Sequence, residues 1–340
     1  MELSGPGFAA WLAAAIGAER VEIARPRRLG GGAIQENWAF DCTVAGGARA
    51  GRHQLVLRTS ARSSLPISWS RPEEFAILRT VHGAGLTVPE PWACCTDPSV
   101  LGQPFYVMRH CPGEGRGYRL VRDPAVRTAS GRLLERLARE LALLHRLRPP
   151  LAQLGFIPVP QGAPSRARIN EYRAQLDRMG AVEPVLEWAL AWLARDPPDW
   201  RHPCLLHGDF RTGNILVDGT ELAAILDWEF AAFGDPREDL GWFVCRFWRF
   251  GAWEREAGGI GERALFLDAY AAASGVALDR AAVDWWEVMA TVRWGVIALM
   301  QSRRHGSGAE PSLELALTGH LLPQLEFDLL QRIEELERRR

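Results

Sequence analysis

The spacing of apolar residues predicts a chain whose structure changes near residue 110. Before that point, apolar and β-branched residues occur in short runs between glycines, which indicates strands and tight turns. Residues 8–18 (FAAWLAAAIGA) have the pattern of a short amphipathic helix, strands are predicted on both sides of glycines 30–32, and residues 53–58 (HQLVLR) form a third strand. The start of the chain is therefore predicted to be strand-rich.

Residues 72–83 (PEEFAILRTVHG) are predicted to form the main helix of this part. Pro72 suits a first helical turn, and Phe75, Leu78 and Val81 recur at helical spacing. One amphipathic helix is therefore expected to pack against the strands.

Beyond this helix, Pro89 and Pro91 break the pattern, and residues 105–108 (FYVM) are predicted as a short buried strand. Residues 110–117 (HCPGEGRG) form a glycine-rich joint, where a boundary is expected. A small strand-rich lobe therefore precedes the joint.

After the joint the chain is predicted to be mainly helical. Residues 129–147, 170–195 and most of 262–340 have helical periodicity. Two short strands, 215–217 and 222–226, lie on either side of an Asp-Gly turn, which is typical of a hairpin. The second part is thus a larger, mostly helical lobe.

The composition fits an ordered globular protein, with 340 residues, 47% hydrophobic and 24% charged. No run of about eighteen apolar residues occurs, so a membrane-spanning helix is not expected. The N-terminus lacks the basic segment of a secretory signal, and the six cysteines form no C-x-x-C pair. We therefore expect a cytoplasmic protein with reduced cysteines and no membrane partner.

The charged residues narrow the chemistry further. The chain contains 40 arginines and no lysine, and its net charge is −1. A general nucleic-acid binder usually has a basic excess, so no nucleic-acid partner is expected. Lysine chemistry is excluded, and any cationic contact to phosphate must come from arginine.

The candidate chemistry lies in residues 205–229 (LLHGDFRTGNILVDGTELAAILDWE). The hairpin turns midway between Asn214 and Asp227 and should bring both side chains to the same end of its strands, with Asp209 in the loop just ahead. Two carboxylates and an amide oxygen would converge with no protein cation nearby, which is costly unless a positive group neutralises them. Oxygen ligands of this kind suit Mg²⁺.

The spacing from Asp209 to Asn214 is that of the kinase catalytic loop, H-R-D-x-x-x-x-N, with glycine in place of arginine. In that loop the Asp accepts the proton of the attacking hydroxyl, the Asn binds metal, and a later Asp bridges metal and phosphoryl groups. The alternative is that Asp209 caps a turn and Asn214 is a turn residue. Three elements in order around a predicted hairpin favour the catalytic interpretation.

On these residues the chain resembles the aminoglycoside phosphotransferase-like kinases, through the pattern HGDxxxxN…D from His207 to Asn214 and Asp227. Three further segments are similar to the branch of kinase-like domains fused to acyl-CoA dehydrogenases: ILDWEFAAFGDPREDLGW (225–242), VLR (56–58) and PSVLGQPFYVM (98–108).

The resemblance implies an α+β, bilobal, protein-kinase-like fold. Residues 1–109 would form an N-lobe with a small antiparallel sheet and one main helix. Residues 110–340 would form a larger, mostly helical C-lobe with the catalytic loop, the metal site and an acceptor pocket.

The resemblance also implies catalytic roles. Asp209 would be the catalytic base, and Asn214 and Asp227 would hold Mg²⁺. Arg58 stands where kinases place a phosphate-binding lysine, and Glu74 would be its ion-pair partner. The arginine departs from the protein-kinase pattern but is expected to be functional in this branch.

The remaining implied contacts are to ATP. Glycines 30–32 (Gly30, Gly31 and Gly32) would form the loop over the phosphates, and Gln35 follows at its end. The segment Val107, Met108, Arg109 and His110 would be a hinge that offers backbone groups to adenine. Asp235, Asp239 and His207 are interpreted as residues that orient the catalytic loop.

The acceptor is predicted to be a hydroxyl of a small molecule. Ten of the 14 tryptophans lie between 188 and 294, most of them expected in the core and a few in an acceptor pocket. The segment 243–256 mixes arginine with aromatics, which favours an apolar or anionic acceptor over a polycation. A hydroxyacyl thioester, a natural product and an aminoglycoside all remain open.

Two other classes of function are considered. A pseudokinase module would bind nucleotide without transfer, although Asp209, Asn214 and Asp227 are all present. A metal-dependent hydrolase built on His207 and Asp209 lacks a second histidine at ligand spacing. The expected assembly is a monomer or a homodimer.

Overall fold

The computed structural model describes residue 3 and residues 6–30, 35–60, 68–308 and 310–339. The fold is α+β, with a five-stranded antiparallel sheet and a helical C-terminal part. The chain divides into two compact units. The N-terminal unit comprises Met1–Gly113, Ala152–Phe156 and Ala223–Phe230, and the C-terminal unit comprises Glu114–Leu151, Ile157–Leu222 and Ala231–Arg340.

The N-terminal unit is built on a sheet of strand order β1-β2-β3-β5-β4. Its elements are α1 (Pro6–Ile16), β1 (Arg20–Arg28), β2 (Gln35–Ala45), β3 (Gly51–Ser60), α2 (Arg71–Gly83), β4 (Pro91–Cys95), α3 (Pro98–Leu101) and β5 (Phe105–Arg109).

One face of this sheet packs on α1. Leu55 and Leu57 of β3 belong to the same buried cluster as Phe8 and Leu12 of α1. Because side chains alternate along a strand, Arg58 lies on the opposite face, where it is 6% exposed.

The strand β4 was not expected, since Pro89 and Pro91 suggested a break in the secondary structure. Pro91 is instead the first residue of β4, at the edge of the sheet, where a missing N–H costs no ladder hydrogen bond.

The C-terminal unit is mainly helical. Its helices are α4 (Gly117–Leu120), α5 (Pro124–Thr128), α6 (Ser130–Leu144), α7 (Pro164–Met179), α8 (Pro184–Arg195), α9 (Arg237–Val244), α10 (Arg263–Ser274), α11 (Arg280–Gly306), α12 (Leu313–Gly319) and α13 (Leu322–Arg338). The 27-residue α11 supplies much of the core, where Trp286 and Val292 pack with Leu190 of α8 and Leu329 of α13.

Two pairs of short strands accompany these helices. β6 (Cys204–Leu206) pairs with β9 (Ala232–Gly234), and β7 (Ile215–Asp218) pairs with β8 (Glu221–Ile225). The second pair is the predicted hairpin, with Gly219 at φ +60° in its turn.

The helical stretch predicted over 170–195 is two helices. Gly180 ends α7 in the left-handed conformation at φ +56°, and Pro184 begins α8. Apolar periodicity continued across this break and concealed it. Among the described residues, no helix combines the length and apolar character needed to cross a membrane.

Candidate active site

The guanidinium of Arg58 is the centre of a buried charge cluster in the N-terminal unit. Its Nη2 lies 2.8 Å from Oε1 of Glu74, and its Nε donates to Oε2 of the same carboxylate over 3.1 Å. Glu74, on α2, is fully buried. Sequence reasoning placed Arg58 and Glu74 as an ion pair, and the structure brings them together.

Arg58 also donates to Asp227. Its Nη2 lies 2.5 Å from Oδ1 of Asp227, although 169 residues separate the two in sequence. The backbone of Asp227 is in the left-handed region, at φ +71°, a conformation that strains a non-glycine residue and is found at functional sites. The expectation that no protein cation lies near the acids was wrong here, because the strand register of β3 places Arg58 beside this carboxylate.

Two more residues complete the cluster. Arg71, on the first turn of α2, donates to Glu74 and, over 3.3 Å, to Oε2 of Glu229. The sequence analysis did not identify Arg71 or Glu229, although Glu229 ends the D-W-E segment that begins at Asp227. Three carboxyls therefore share two guanidiniums.

The pKa values in the cluster follow from burial and charge. Burial disfavours the charge of Arg58, but Glu74 and the other nearby acids outweigh it and hold the pKa of the guanidinium above its ordinary value. Burial and the charge of Asp227 raise the pKa of Glu229 to about 7. Arg58 therefore stays charged. Glu229 is partly protonated near neutral pH, which reduces the net negative charge of the cluster.

The H-G-D loop of the C-terminal unit fixes the carboxylate of Asp209 with three side-chain donors. Trp242 Nε1 donates to Oδ1 over 2.8 Å, and Asn214 Nδ2 donates to Oδ2 over 2.6 Å. Arg211 Nε lies 3.1 Å from each of the two oxygens. The imidazole Nδ1 of His207 accepts the N–H of Asp209 over 3.1 Å. The Asp209 side chain is thus held in one orientation.

Arg211 and Trp242 contact Asp209, and sequence reasoning did not identify either residue as part of the candidate site. Arg211 lies within the x positions of the H-G-D-x-x-x-x-N pattern, which was interpreted only as spacing, and it is a second cation that was not expected beside the acids. Trp242 ends the segment GDPREDLGW, where it stood among the tryptophans assigned mostly to the core.

Asp239 orients the H-G-D loop through hydrogen bonds to the loop backbone. Its carboxylate accepts the backbone N–H of His207 over 2.7 Å and that of Gly208 over 2.9 Å. His145 adds a contact of 3.2 Å from Nε2 and bonds Tyr270 through Nδ1. Burial opposes the charge of Asp239, but these bonds and the two histidines hold the pKa of its carboxyl below its ordinary value.

Asp235 has a different role from the one expected. Its carboxylate accepts the N–H of Arg237 at the start of α9, the side chain of Arg237, and Nε1 of Trp286. It therefore anchors α9 to the core, whereas Asp239, four residues later, bonds the H-G-D loop.

Asn214 and Asp227 each carry oxygen atoms of the kind that bind Mg²⁺. The Nδ2 group of Asn214 donates to both the backbone oxygen and the side-chain Oδ2 of Asp209. The Oδ1 atom of Asn214 accepts no hydrogen bond from any described residue. An amide oxygen and a carboxylate are ligands that Mg²⁺ prefers, with phosphate oxygens and water completing its shell. Asn214 belongs to the C-terminal unit and Asp227 to the N-terminal unit. No group of three or more His, Cys, Asp or Glu side chains suited to a metal occurs in the described part.

The predicted glycine loop is only partly described. Gly30 is exposed after β1, whereas Gly31 and Gly32 lie outside the described residues. The backbone of Gln35 begins β2, paired with Ser60, and its side chain also lies outside them.

The predicted hinge is already largely hydrogen-bonded. Val107 packs into the core, and β5 pairs on both sides, with Met108 opposite Val56. The N–H of Arg109 donates to Glu90 O, and that of His110 donates to Gln54 O. The backbone N–H groups of Arg109 and His110 therefore already have acceptors within the protein.

A cavity of about 250 Å³ lies beside His110 in the N-terminal unit. Burial and the nearby guanidinium of Arg27 lower the pKa of His110, which favours the neutral imidazole. The cavity is lined by Arg25, Arg27, Ala39, Phe40, Asp41, Gln54 and His110.

A small antiparallel sheet whose third strand carries a cation paired to a helix glutamate, together with a helical unit carrying an H-G-D…N loop, defines the kinase-like class of phosphotransferases. Residues 26–286 match the model of the Phosphotransferase enzyme family, and the chain belongs to this family. The resemblance and the fold expected from the sequence are confirmed.

The related proteins are much longer than this chain. It is 32% identical over 222 residues to acyl-CoA dehydrogenase family member 11 of Gallus gallus, covering 64% of this chain and 28% of that protein. It is 30% identical over 209 residues to family member 10 of Mus musculus, covering 59% of this chain and 19% of that protein. The chain thus spans less than a third of the length of either relative.

Solved structures share the fold. A candidate aminoglycoside phosphotransferase of Ralstonia eutropha aligns with a TM-score of 0.72 at 20% identity, covering 97% of this chain and 98% of that one. The aminoglycoside phosphotransferase APH(4)-Ia, in a ternary complex with AMP-PNP and hygromycin B, aligns at 0.58 and 17% identity, covering 95% and 99%. At these identities the likeness shows the fold alone.

Proposed function

We propose that the protein is a phosphotransferase that moves the γ-phosphoryl group of ATP to a hydroxyl of a small molecule, with Mg²⁺ as cofactor. The observation that supports it best is the buried guanidinium of Arg58, held between Glu74 and Asp227 in a chain without lysine. Kinase chemistry needs one fixed cation for the nucleotide phosphates, and this arginine has the partner glutamate on the adjacent helix.

In the proposed reaction the acceptor hydroxyl oxygen forms a bond to the γ-phosphorus as the bond from that phosphorus to the β,γ-bridging oxygen breaks. The hydroxyl proton passes to the carboxylate of Asp209, and ADP leaves with the electron pair of the broken bond. Three donors fix Asp209 in one rotamer before substrate arrives, so little reorganisation is needed during transfer.

Asn214 Oδ1 and the carboxylate of Asp227 are proposed to hold Mg²⁺, which would neutralise charge on the transferring phosphoryl group. Arg58 would then divide its contacts between Glu74 and the phosphates. A cation already held by Glu74 is well placed for this exchange, since that pair is buried and Asp227 is more accessible, with its side chain 24% exposed.

The cavity beside His110 is proposed to receive the nucleotide base. The N–H of Cys111 follows the two donors already used and has no hydrogen bond within the described ranges. Solved relatives of this fold include complexes with AMP-PNP and with GDP, so both ATP and GTP belong in the test.

The test combines nucleotide binding with turnover. We expect ATP with Mg²⁺ to raise the melting temperature and to be consumed in the presence of a hydroxylated acceptor from a metabolite panel. Asp209→Asn should abolish turnover and keep the nucleotide-dependent shift. Asp268→Asn, on an exposed face of α10 with its side chain 67% exposed, is the matched control and should keep full turnover.

Two results would contradict the proposal. Nucleotide stabilisation without turnover on any acceptor would indicate a nucleotide-binding module. Absence of stabilisation by ATP and by GTP would exclude the kinase function altogether.

A further inference from the structure

An aromatic wall lies beside Asp209 in the C-terminal unit. It consists of the rings of Trp242, Phe247, Trp248, Phe250 and Trp294. The centroids of Trp242 and Trp248 are 5.3 Å apart, and those of Trp248 and Trp294 are 4.9 Å apart. Because Trp242 also donates to Asp209, the wall touches the carboxylate proposed to remove the acceptor proton.

Two guanidinium groups stack on this wall. The Cζ atom of Arg211 lies 4.5 Å from the ring centroid of Trp248, and that of Arg293 lies 4.4 Å from the centroid of Trp242. Arg211 uses only Nε on Asp209, and its terminal nitrogens have no hydrogen bond to any residue that the structure describes. Arg293 likewise forms no hydrogen bond or ion pair with a described residue. Burial raises the pKa of the nearby Glu238, and the charges of Arg168 and Arg293 only partly oppose that rise. Both cations can therefore take an anion.

Two indole groups of the wall are also unpartnered. Nε1 of Trp248 and Nε1 of Trp294 are buried and have no hydrogen-bond partner within the described part of the chain. Trp248 as a whole is 5% exposed. A buried N–H without an acceptor is unfavourable, so an acceptor atom that entered this cluster would stabilise both groups.

The polar groups that the wall offers are therefore donors. Indole N–H and guanidinium groups donate and never accept, and the Cys245 thiol of this cluster is engaged with Thr291. A surface made of donors and positive charge binds carboxylate or phosphate and repels a polycation. The flat rings add stacking area for an apolar part of the same molecule.

We propose that the aromatic wall is the subsite for the phosphoryl acceptor and that the acceptor is a hydroxy compound bearing a carboxylate or phosphate group and an apolar part. This inference rests on the proposed function for the role of its ligand. Arg211 connects the two, since one guanidinium both positions Asp209 through Nε and presents its terminal nitrogens to the acceptor anion.

Isothermal titration without nucleotide tests the subsite on its own. The probes are phenyllactate against its neutral amide, mandelate against its amide, and glycerol 3-phosphate against glycerol, with kanamycin as the polycation. We expect at least one anion to bind on the order of tenfold more tightly than its neutral counterpart, because a hydrogen bond to a charged group is worth about that much. Kanamycin should bind more weakly than the anions.

Variants then locate the site. Trp248→Phe and Trp294→Phe remove one N–H each and keep a ring, so each should weaken anion binding on the order of tenfold and leave the neutral probes nearly unchanged. Trp188→Phe, on α8 outside the wall and 46% exposed, is the matched control and should bind like the wild type. Melting temperatures of all three variants report whether they are folded.

The outcomes separate this proposal from the proposed function. If no anion binds more tightly than its neutral counterpart, or if folded Trp248→Phe and Trp294→Phe both bind anions like the wild type, the acceptor subsite is refuted. Anion binding that depends on Trp248, in a protein that consumes neither ATP nor GTP with any hydroxyl compound, supports the anion site and contradicts the phosphotransferase function.

Discussion

The indole N–H of Trp242 donates to the carboxylate of Asp209, in the H-G-D loop, over 2.8 Å. Trp242 lies on α9, 33 residues beyond Asp209 in sequence, and is 2% exposed. A buried, rigid ring therefore fixes one oxygen of the proposed base, Asn214 fixes the other, and Arg211 contacts both.

Trp242→Phe keeps the ring in the aromatic wall and removes the donor to Asp209. We expect kcat to fall on the order of tenfold, with the KM for ATP nearly unchanged, because the variant frees the base without touching nucleotide contacts. Steady-state kinetics measure both constants. Trp285→Phe loses a comparable buried bond to Leu193 O far from the loop and serves as control, and an equal drop in its kcat would point to a general packing effect.

Gly213→Ala tests the position of Arg211. A Cβ at residue 213 would lie 2.2 Å from Nη1 of Arg211, so the guanidinium must leave its place above the loop. The displaced group is the end of a flexible side chain, hence we expect little change in the free energy of unfolding and a clear loss of turnover.

Gly131→Ala is the matched control for this change. Its added Cβ would lie 3.6 Å from Leu265 Cδ2, an ordinary contact, so we expect little change in the free energy of unfolding and full turnover. Urea titrations and turnover assays distinguish the two alanines, and full activity in Gly213→Ala would show that Arg211 does not need its present position.

Arg58→Lys tests whether Arg58 has the phosphate-binding role that a lysine has in protein kinases. A single ammonium cannot bond Glu74 and Asp227 with the two separate nitrogens that Arg58 uses, so we expect a higher KM for ATP and lower stability. Arg58→Ala should abolish ATP use and cost about 3–5 kcal/mol of unfolding free energy, since it leaves buried carboxylates uncompensated.

The control for these changes lies on the same strand. Arg52→Lys is exposed on β3 and should leave both the KM for ATP and the stability at wild-type values. Wild-type ATP kinetics in Arg58→Lys would mean that the cation contacting phosphate lies elsewhere in the chain.

Asp239 should make stability depend on pH in the acid range. Its pKa is below the ordinary value in the folded protein, so the unfolded chain binds more protons between the two values, and stability falls as pH drops through that interval. We expect denaturant titrations between about pH 5 and pH 3 to show this loss in the wild type.

Asp239→Asn should be less stable at neutral pH and flatter across the same interval. The asparagine amide keeps one acceptor oxygen, so its NH2 group faces the N–H of either His207 or Gly208 without accepting it, which costs about 2–5 kcal/mol. Asp177→Asn, exposed on α7, is the control. A wild-type pH profile in Asp239→Asn would assign the acid sensitivity to other carboxyls.

Much of the candidate site could be predicted from sequence because its spacing is local. Asp209 and Asn214 occupy one loop, so the distance between them in sequence nearly determines their hydrogen bond. Arg58 and Glu74 lie on successive elements, β3 and α2, and the resemblance to the kinase-like family predicted their pairing. Periodicity likewise indicated most helices and the hairpin.

The predictions from sequence were wrong where packing between distant segments determines a residue's contacts. Asp235 and Asp239 lie four residues apart on one segment, yet one bonds Trp286 of α11 and the other bonds the catalytic loop. The edge position that admits Pro91 to β4 depends on the order of strands in the sheet, which local pattern does not contain.

The sequence by itself determined the family, the catalytic-loop motif and the absence of lysine, because these depend on residue identity and short spacing. Only the tertiary structure decided which cation meets which acid: Arg58 with Asp227 across 169 residues, and Arg211 and Trp242 with Asp209. The physical reason is that a charge or donor finds its partner through the packing of whole strands and helices. The residues next to Asp209 in the sequence do not show that an indole from α9 reaches its carboxylate.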